Sequence, residues 1–267
     1  MTRPLRAVLV CGGRFHDFDY ARLELLTELS QLDRVKARVF EDFACAEPGG
    51  ALEAADLLVT YTCDVRPSAV QERGLEAFVE RGGRWLALHA TNSALDAPAT
   101  LGSGEPFRTP RAFPAMARVL GSQFVAHPPV RPYRVEVTQP HHPLVAGVEP
   151  FDADDELYCS ELHGPLEVLL HARFAGQCAG FEEAEWPDDD LRPVLYLKPT
   201  GLGAVCYFTL GHCRGPLDMQ DFMPEYPKLE RGSWELAAYR TVLRRCLRWG
   251  VHTPGLASPR EVQHVTG

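Results

Sequence analysis

Five residues of this chain have the chemistry of a proton-transfer or metal site and stand where such sites form. His89 closes the apolar run Trp85-Leu86-Ala87-Leu88, and His212 closes Phe208-Thr209-Leu210-Gly211. His16 follows an apolar run that ends in Gly12-Gly13, His127 follows Phe124-Val125-Ala126, and Glu156 lies in Asp154-Asp155-Glu156-Leu157-Tyr158. An imidazole just after a buried strand sits at the rim of a sheet, where it can exchange protons near neutral pH or ligate a metal. Several of them on one rim with a carboxylate would make an acid–base or metal constellation. His89, His212 and Glu156 are the candidate catalytic groups. His16, Asp17, Asp64 and His127 are the candidate substrate-binding groups. No HxH or HExxH spacing marks a metal centre, so metal and cofactor stay open at this level.

The break after Leu88 falls at a strand end of the kind on which nucleophilic α/β enzymes carry Cys or Ser. Here the turn carries His89-Ala90, and Cys63 belongs to another strand end. Covalent catalysis from that turn is therefore not expected. Gly12-Gly13 is a weak anion-loop signal, and neither GxGxxG nor GxxxxGK[ST] occurs, which argues against a nucleotide.

The elements that must position these groups alternate through the first ~125 residues. Apolar strand patterns cover residues 6–11, 35–40, 57–61 and 85–88, with helical spacing over 20–32 and 67–81. Leu23, Leu26 and Leu29 are the expected inner face of the first helix, and Val70, Leu75, Phe78 and Val79 that of the second. Strands separated by helices of this length make βαβ units and a parallel, doubly wound sheet. Its strand-end loops, 12–18, 62–66 and 89–93, should then share one rim. Residues 96–110, rich in Ala, Gly, Pro and Thr, read as a long loop of the kind that covers a site. A short helix is expected over 112–120. From 133 to 210 the grammar turns antiparallel, with strands at 133–138, 166–172, 194–197 and 204–209, and a closing helix runs over 234–249. Asp188-Asp189-Asp190 reads as a solvated loop, Trp85 as core, and Trp186 as a ring that could stack on a sugar.

The 267 residues suit one domain over 5–250 with a tail over 251–267, and a chain this long buries about three quarters of its unfolded surface. The net charge of −9 argues against nucleic acid and anionic membranes, and favours a neutral ligand such as a sugar. Eight Cys without a CxxC pair, and no signal or membrane segment, read as buried thiols in a reducing cytoplasm. Oligomeric state, including a homo-oligomer, is left open.

An ordered set of motifs carries a family resemblance: Tyr61-Thr62-Cys63-Asp64, Phe78-Val79-Glu80-Arg81-Gly82-Gly83, Leu86-Ala87-Leu88-His89-Ala90, Phe124-Val125-Ala126-His127-Pro128, His142-Pro143-Leu144-Val145-Ala146-Gly147, Asp155-Glu156-Leu157-Tyr158 and Thr209-Leu210-Gly211-His212. Over roughly residues 7–250 the chain resembles the trehalose-utilization (ThuA-like) family, related to class I glutamine amidotransferases. The resemblance implies a flavodoxin-like α/β fold with a doubly wound mixed sheet and a C-terminal antiparallel portion. It also implies a role in carbohydrate catabolism, on a disaccharide or its 3-keto derivative. In the amidotransferase relatives the elbow carries the catalytic Cys, and here it has His89-Ala90 instead, so glutamine hydrolysis is not implied. Three readings stand: His/Glu acid–base chemistry on a sugar or glycoside, a metal-dependent enzyme on the same fold, and a non-catalytic sugar-binding or regulatory module.

Overall fold

The apolar runs of the N-terminal half become parallel strands because both of their faces are covered. The computed structural model describes residues 3–251, so the expected tail, Val251 apart, lies outside the described residues. In chain order the elements are β1 (Leu5–Gly13), α1 (Phe18–Ser30), β2 (Val35–Phe40), β3 (Leu57–Cys63), α2 (Ala69–Glu80), β4 (Arg84–Leu88), α3 (Pro114–Leu120) and β5 (Ser122–Ala126). They continue with β6 (Arg131–Val137), β7 (Phe151–Asp155), β8 (Cys159–Leu162), β9 (Glu167–Gln177), β10 (Glu185–Thr200), β11 (Gly203–Phe208) and α4 (Ala237–Gly250).

Nine strands form one sheet in the order β2-β1-β3-β4-β11-β10-β9-β6-β7, and β5 pairs with β8 apart from it. The first five in that order are mutually parallel, and from β11 onward each neighbour is antiparallel. Alternate residues of a strand face opposite sides. Leu9, Val59, Tyr61, Leu86 and Leu88 accordingly pack under α1 and α4. Val8, Val10, Leu58, Trp85 and Ala87 pack under α2 and α3.

Two inner helix faces differ from the sequence expectation. In α1 the buried stripe is Ala21, Leu25, Glu28 and Leu29, and Leu23 is exposed. In α2 it is Glu72, Leu75, Phe78 and Val79, and Val70 is exposed. Five residues separate Val70 from Leu75, so at 3.6 residues per turn the two lie about 140° apart on the helix. The acidic run is not a loop either: Asp188, Asp189 and Asp190 are exposed within β10, beside an irregularity where its register with β9 shifts. β5, β7 and β8 carry no period-2 pattern long enough to be seen in advance. No described helix is long and apolar enough to cross a membrane.

Ser68 starts α2 with a reciprocal capping box to Gln71, and Gly82, at φ +109°, follows its end. Inside that helix, a Cβ on Gly74 would run into the backbone carbonyl of Ala46. Ala is the better helix former by about 1 kcal/mol, but forcing a methyl into a packed contact costs roughly 1–3 kcal/mol. Gly74→Ala is therefore expected to lower stability, by roughly 2–4 °C in Tm for each kcal/mol lost in a chain this size. Thermal unfolding of the variant checks it, and an unchanged or higher Tm would show that the Ala46 segment yields freely.

Candidate functional site

β1, β3, β4 and β11 end on one edge of the sheet, and the chain turns sharply there. Phe15 (φ +74°), Asp64 (φ +57°) and His89 (φ +47°) are left-handed residues without the freedom of glycine, each just past a strand. Such backbone costs about 1–3 kcal/mol per residue and persists only where its surroundings hold it. Hydrogen bonds between the turns do so: Arg14 N–H to Cys63 O (3.1 Å), Asp64 N–H to Ser93 O (3.1 Å) and Asp17 N–H to Cys213 O (3.0 Å). The three loops thus share one rim, and the turn after β11 joins them.

His16, His89, Glu156 and His212 meet at that rim, all buried, with one ligand-type atom from each within 4.8 Å of all the others. Each imidazole has one nitrogen engaged by an acceptor. His16 Nδ1 is 3.2 Å from the Arg14 carbonyl, His89 Nδ1 is 2.9 Å from the Thr209 carbonyl, and His212 Nε2 is 2.9 Å from Glu230 Oε2. A carbonyl or carboxylate oxygen can only accept, so those nitrogens carry the hydrogens. In the neutral rings the lone pairs then lie on His16 Nε2, His89 Nε2 and His212 Nδ1. The first two are 2.9 Å apart. His212 Nδ1 is 3.2 Å from Glu156 Oε1 yet makes no hydrogen bond.

The carboxylates are placed as deliberately. Asp155, fully buried, accepts from the amides of Glu156 (2.8 Å), Gly211 (2.9 Å), Ser233 (3.1 Å) and His212 (3.2 Å). Those bonds fasten the end of β7 to the turn beyond β11. Glu156 is met by the Tyr158 hydroxyl at 3.3 Å and by Arg214 at 3.4 Å. Burial opposes its ionisation, but the nearby imidazoles of His212 first, then His127, His16 and His89, favour the charged form and hold the carboxyl well below its ordinary value of 4.5. Burial drives the His16 imidazole down to about 3. His212 is raised, because Glu156 and Glu230 outweigh its desolvation. Cys63 lines the pocket, but burial and then the Glu156 charge push its thiol far up, so it is no thiolate nucleophile.

His127 stands beside the cluster, with Nε2 3.8 Å from Glu156 Oε1 and Nδ1 donating to Pro128 O at 2.8 Å. Asp17 and Asp64 point elsewhere. Asp17 caps α1 and pairs with Arg231 at 3.0 Å, and Asp64 is held between Arg14 and Arg66. Trp85 is core, bonded to Thr60 Oγ1, and Trp186 lies outside the pocket under the Arg192 guanidinium. Sequence reasoning missed Arg214 and Glu230, which face each other in an antiparallel bridge within the irregular stretch after β11, where no periodicity marks them. Asp155 was not singled out as a site residue either, and three of its four amide partners are far along the chain.

Above the cluster lies a cavity of about 240 Å³, reached by Leu101 and Phe107 of the 96–110 loop. A wider groove of about 450 Å³ runs between α1 and α4, but its central charges, Glu28 and Arg244, are paired to each other.

The family model for ThuA, trehalose utilisation, matches residues 7–224. No curated protein matches the chain. Among solved structures, it is similar to a ThuA-like protein of Bacteroides uniformis (TM-score 0.62, 17% identity, 94% of this chain and 93% of that one). It is also similar to a ThuA-like protein of Parabacteroides merdae (TM-score 0.59, 16% identity, 94% and 91%). A cytoplasmic protein of Salmonella typhimurium is a further likeness (TM-score 0.51, 14% identity, 92% and 98%). At these identities the likeness is one of fold alone, a mixed α/β sheet.

Asp155→Asn keeps the shape but turns an NH2 group toward backbone N–H donors. Hydrogen bonds to a charged acceptor are worth roughly 1.5–3 kcal/mol each, so a loss of about 3 kcal/mol is expected. Denaturant unfolding measures it, and a loss below about 0.5 kcal/mol, the size of an ordinary surface change, would remove Asp155 as the fastening group.

Proposed function

The chain belongs to the ThuA, trehalose-utilisation family, and from that premise we propose that it is a divalent-metal-dependent enzyme acting on a sugar or glycoside, a disaccharide or its 3-keto derivative included. One observation carries this reading: three imidazoles, each with its far nitrogen tied to an oxygen, turn their other nitrogen toward one another and toward Glu156. Lone pairs facing at 2.9 Å repel unless a cation or a proton lies between them. A ligating histidine ordinarily donates its other N–H to a carboxylate or carbonyl, as all three do here. Donors of a tetrahedral centre with bonds of ~2.0–2.1 Å lie about 3.4 Å apart. Four of the six separations among His16, His89, His212 and Glu156, taken to the nearer Glu156 oxygen, are 2.9, 3.2, 3.5 and 3.7 Å, and one atom from each lies within 4.8 Å of all the others. Imidazole with one carboxylate suits a first-row transition ion such as zinc, more than magnesium or calcium.

Bound there, the ion would supply Lewis acidity toward a carbonyl or hydroxyl oxygen of the substrate. The surrounding side chains suit the rest of the work. His127, its Nδ1–H engaged, keeps Nε2 free to accept a proton at the cavity floor. The Tyr158 hydroxyl, 3.3 Å from both Glu156 Oε2 and His89 Nε2, can hold a substrate oxygen beside the cluster. Arg214 sits against both Glu156 and Glu230 and limits the negative charge gathered there. Eight buried free thiols suit a reducing cytoplasm.

A metal-free reading is favoured by the same 2.9 Å separation, which is also that of an N–H···N hydrogen bond. In that case one proton is shared by His16 and His89, and the cluster works by proton transfer alone. Elemental analysis of protein purified without a histidine tag separates the two. About one equivalent of a transition metal is expected, with chelation abolishing turnover of sugar substrates and re-addition restoring it. Metal far below stoichiometric, with activity indifferent to chelator, would leave the proton-transfer reading. Glu156→Gln and His89→Ala should each shed the ion. Because the ligating imidazoles must be neutral, the ion should also be lost as pH falls, and the first competing proton is the one on His212, which Glu156 and Glu230 hold above its ordinary value. Retention of full metal content by both variants would remove this ligand set.

A further inference from the structure

We infer that the cavity over the histidine cluster is built for a glycoside with an aromatic aglycone, and not for a disaccharide of two free sugars; the inference rests on the cluster being the reacting end of the site. The cavity has two unlike ends. Of its polar groups, Glu156, His16, Tyr158 and Arg214 gather at the cluster, His127 stands between Glu156 and Phe181, and Ser93 also lines the cavity. Its walls are Phe15, Phe107, Phe124 and Phe181, with Leu101 and Met219. The four phenylalanines come from four separate segments: the turn after β1, the 96–110 loop, β5, and the connection from β9 to β10.

These rings touch in sequence. Phe15 meets Phe107 edge-on at 6.3 Å, Phe107 lies 5.8 Å from Phe181, and Phe181 meets Phe124 edge-on at 5.7 Å. Phe124 then lies 4.6 Å from Tyr158, which touches the cluster. The array is pinned by backbone as well, through Phe107 N–H to Gly180 O (2.7 Å) and Glu182 N–H to Phe107 O (2.9 Å). Aromatic walls of this kind accept another flat ring edge-on or offset, and a preformed pocket does so without paying to order itself.

A disaccharide of two free sugars carries hydroxyls around both rings. Buried, each needs a hydrogen-bond partner, and one left without it weakens binding. Rings and methyl groups offer none. One sugar ring at the floor can be satisfied by the polar groups there, while the second unit must be apolar and flat.

The test compares phenyl and methyl D-glucopyranosides, both anomers of each, with trehalose and with phenol alone, by titration calorimetry on the metal-loaded protein. Phenyl glucosides are expected to bind at least about tenfold tighter than the methyl compounds, the low end of what one fitted apolar group confers, and phenol should compete with them. Phe107→Ala and Phe181→Ala should erase the preference without changing metal content, and Phe181→Leu should restore part of it should the alanine variant fold poorly. Equal or tighter binding of methyl glucoside or trehalose, or no binding by any aromatic probe, would overturn the inference. Metal content measured on the same samples keeps the two readings apart. Stoichiometric metal without a phenyl preference removes the aglycone alone, and a phenyl preference in metal-free protein removes the metal alone.

Discussion

The Asp155 carboxylate accepts amide hydrogens from Glu156, Gly211, His212 and Ser233, and the remainder of the site depends on that junction. A buried carboxylate without partners is among the most costly groups a fold can hold, and here backbone donors from two distant segments supply the compensation. The geometry follows. Glu156 is the next residue and is thereby turned inward, while His212, whose own amide is bound, is set at a fixed place beyond β11. The Tyr61 hydroxyl and the Trp234 indole both donate to the Gly211 carbonyl at 2.7 Å and lock the same turn from below.

The histidines are oriented by groups that cannot donate. Two backbone carbonyls and Glu230 choose the protonated nitrogen in each ring, and so decide which nitrogen faces the centre. The backbone under them is strained at Phe15, Asp64 and His89, each just past a parallel strand. That strain is held by a sheet covered on both faces, which puts rigid, low-energy structure directly behind the strained turns. The turn after β4 carries His89-Ala90 and no Cys or Ser nucleophile. With Ala90 at the turn and the Cys63 thiol held protonated, the site's capacity lies in imidazoles and carboxylates.

Membership of the ThuA, trehalose-utilisation family does not name a ligand, and the lining of the cavity is what limits one. Polar atoms at one end and phenylalanines around the other fit a molecule that is itself two-sided. The 96–110 loop matters for that reason: it is tied by Asp96–Arg108 and Phe107–Gly180 backbone bonds, and it delivers Leu101 and Phe107 over the cluster.

Much of this was readable from the chain. Continuous apolar runs ending in Gly12-Gly13, Cys63 and His89 imply parallel strands with a common functional edge, because a strand buried on both faces can expose polar groups only at its ends. That argument found His16, His89 and His212, and the acidic segment holding Glu156. The antiparallel portion was legible where turns such as Gly201-Leu202 joined apolar strands, and not at β5, β7 and β8, whose short strands mix polar and apolar residues. Helix faces at Leu23 and Val70 were misjudged because hydrophobicity was weighed ahead of angular position. By itself, then, the sequence determined the sheet, its edge and the residue types brought there, since these follow from local periodicity and burial. Tertiary structure alone decided that Asp17 and Asp64 turn to arginines, that Arg214 and Glu230 join the site, which nitrogen each histidine presents, and that phenylalanines from four segments enclose one cavity. Those outcomes rest on contacts between segments up to about two hundred residues apart, and no local pattern encodes the partner at the far end.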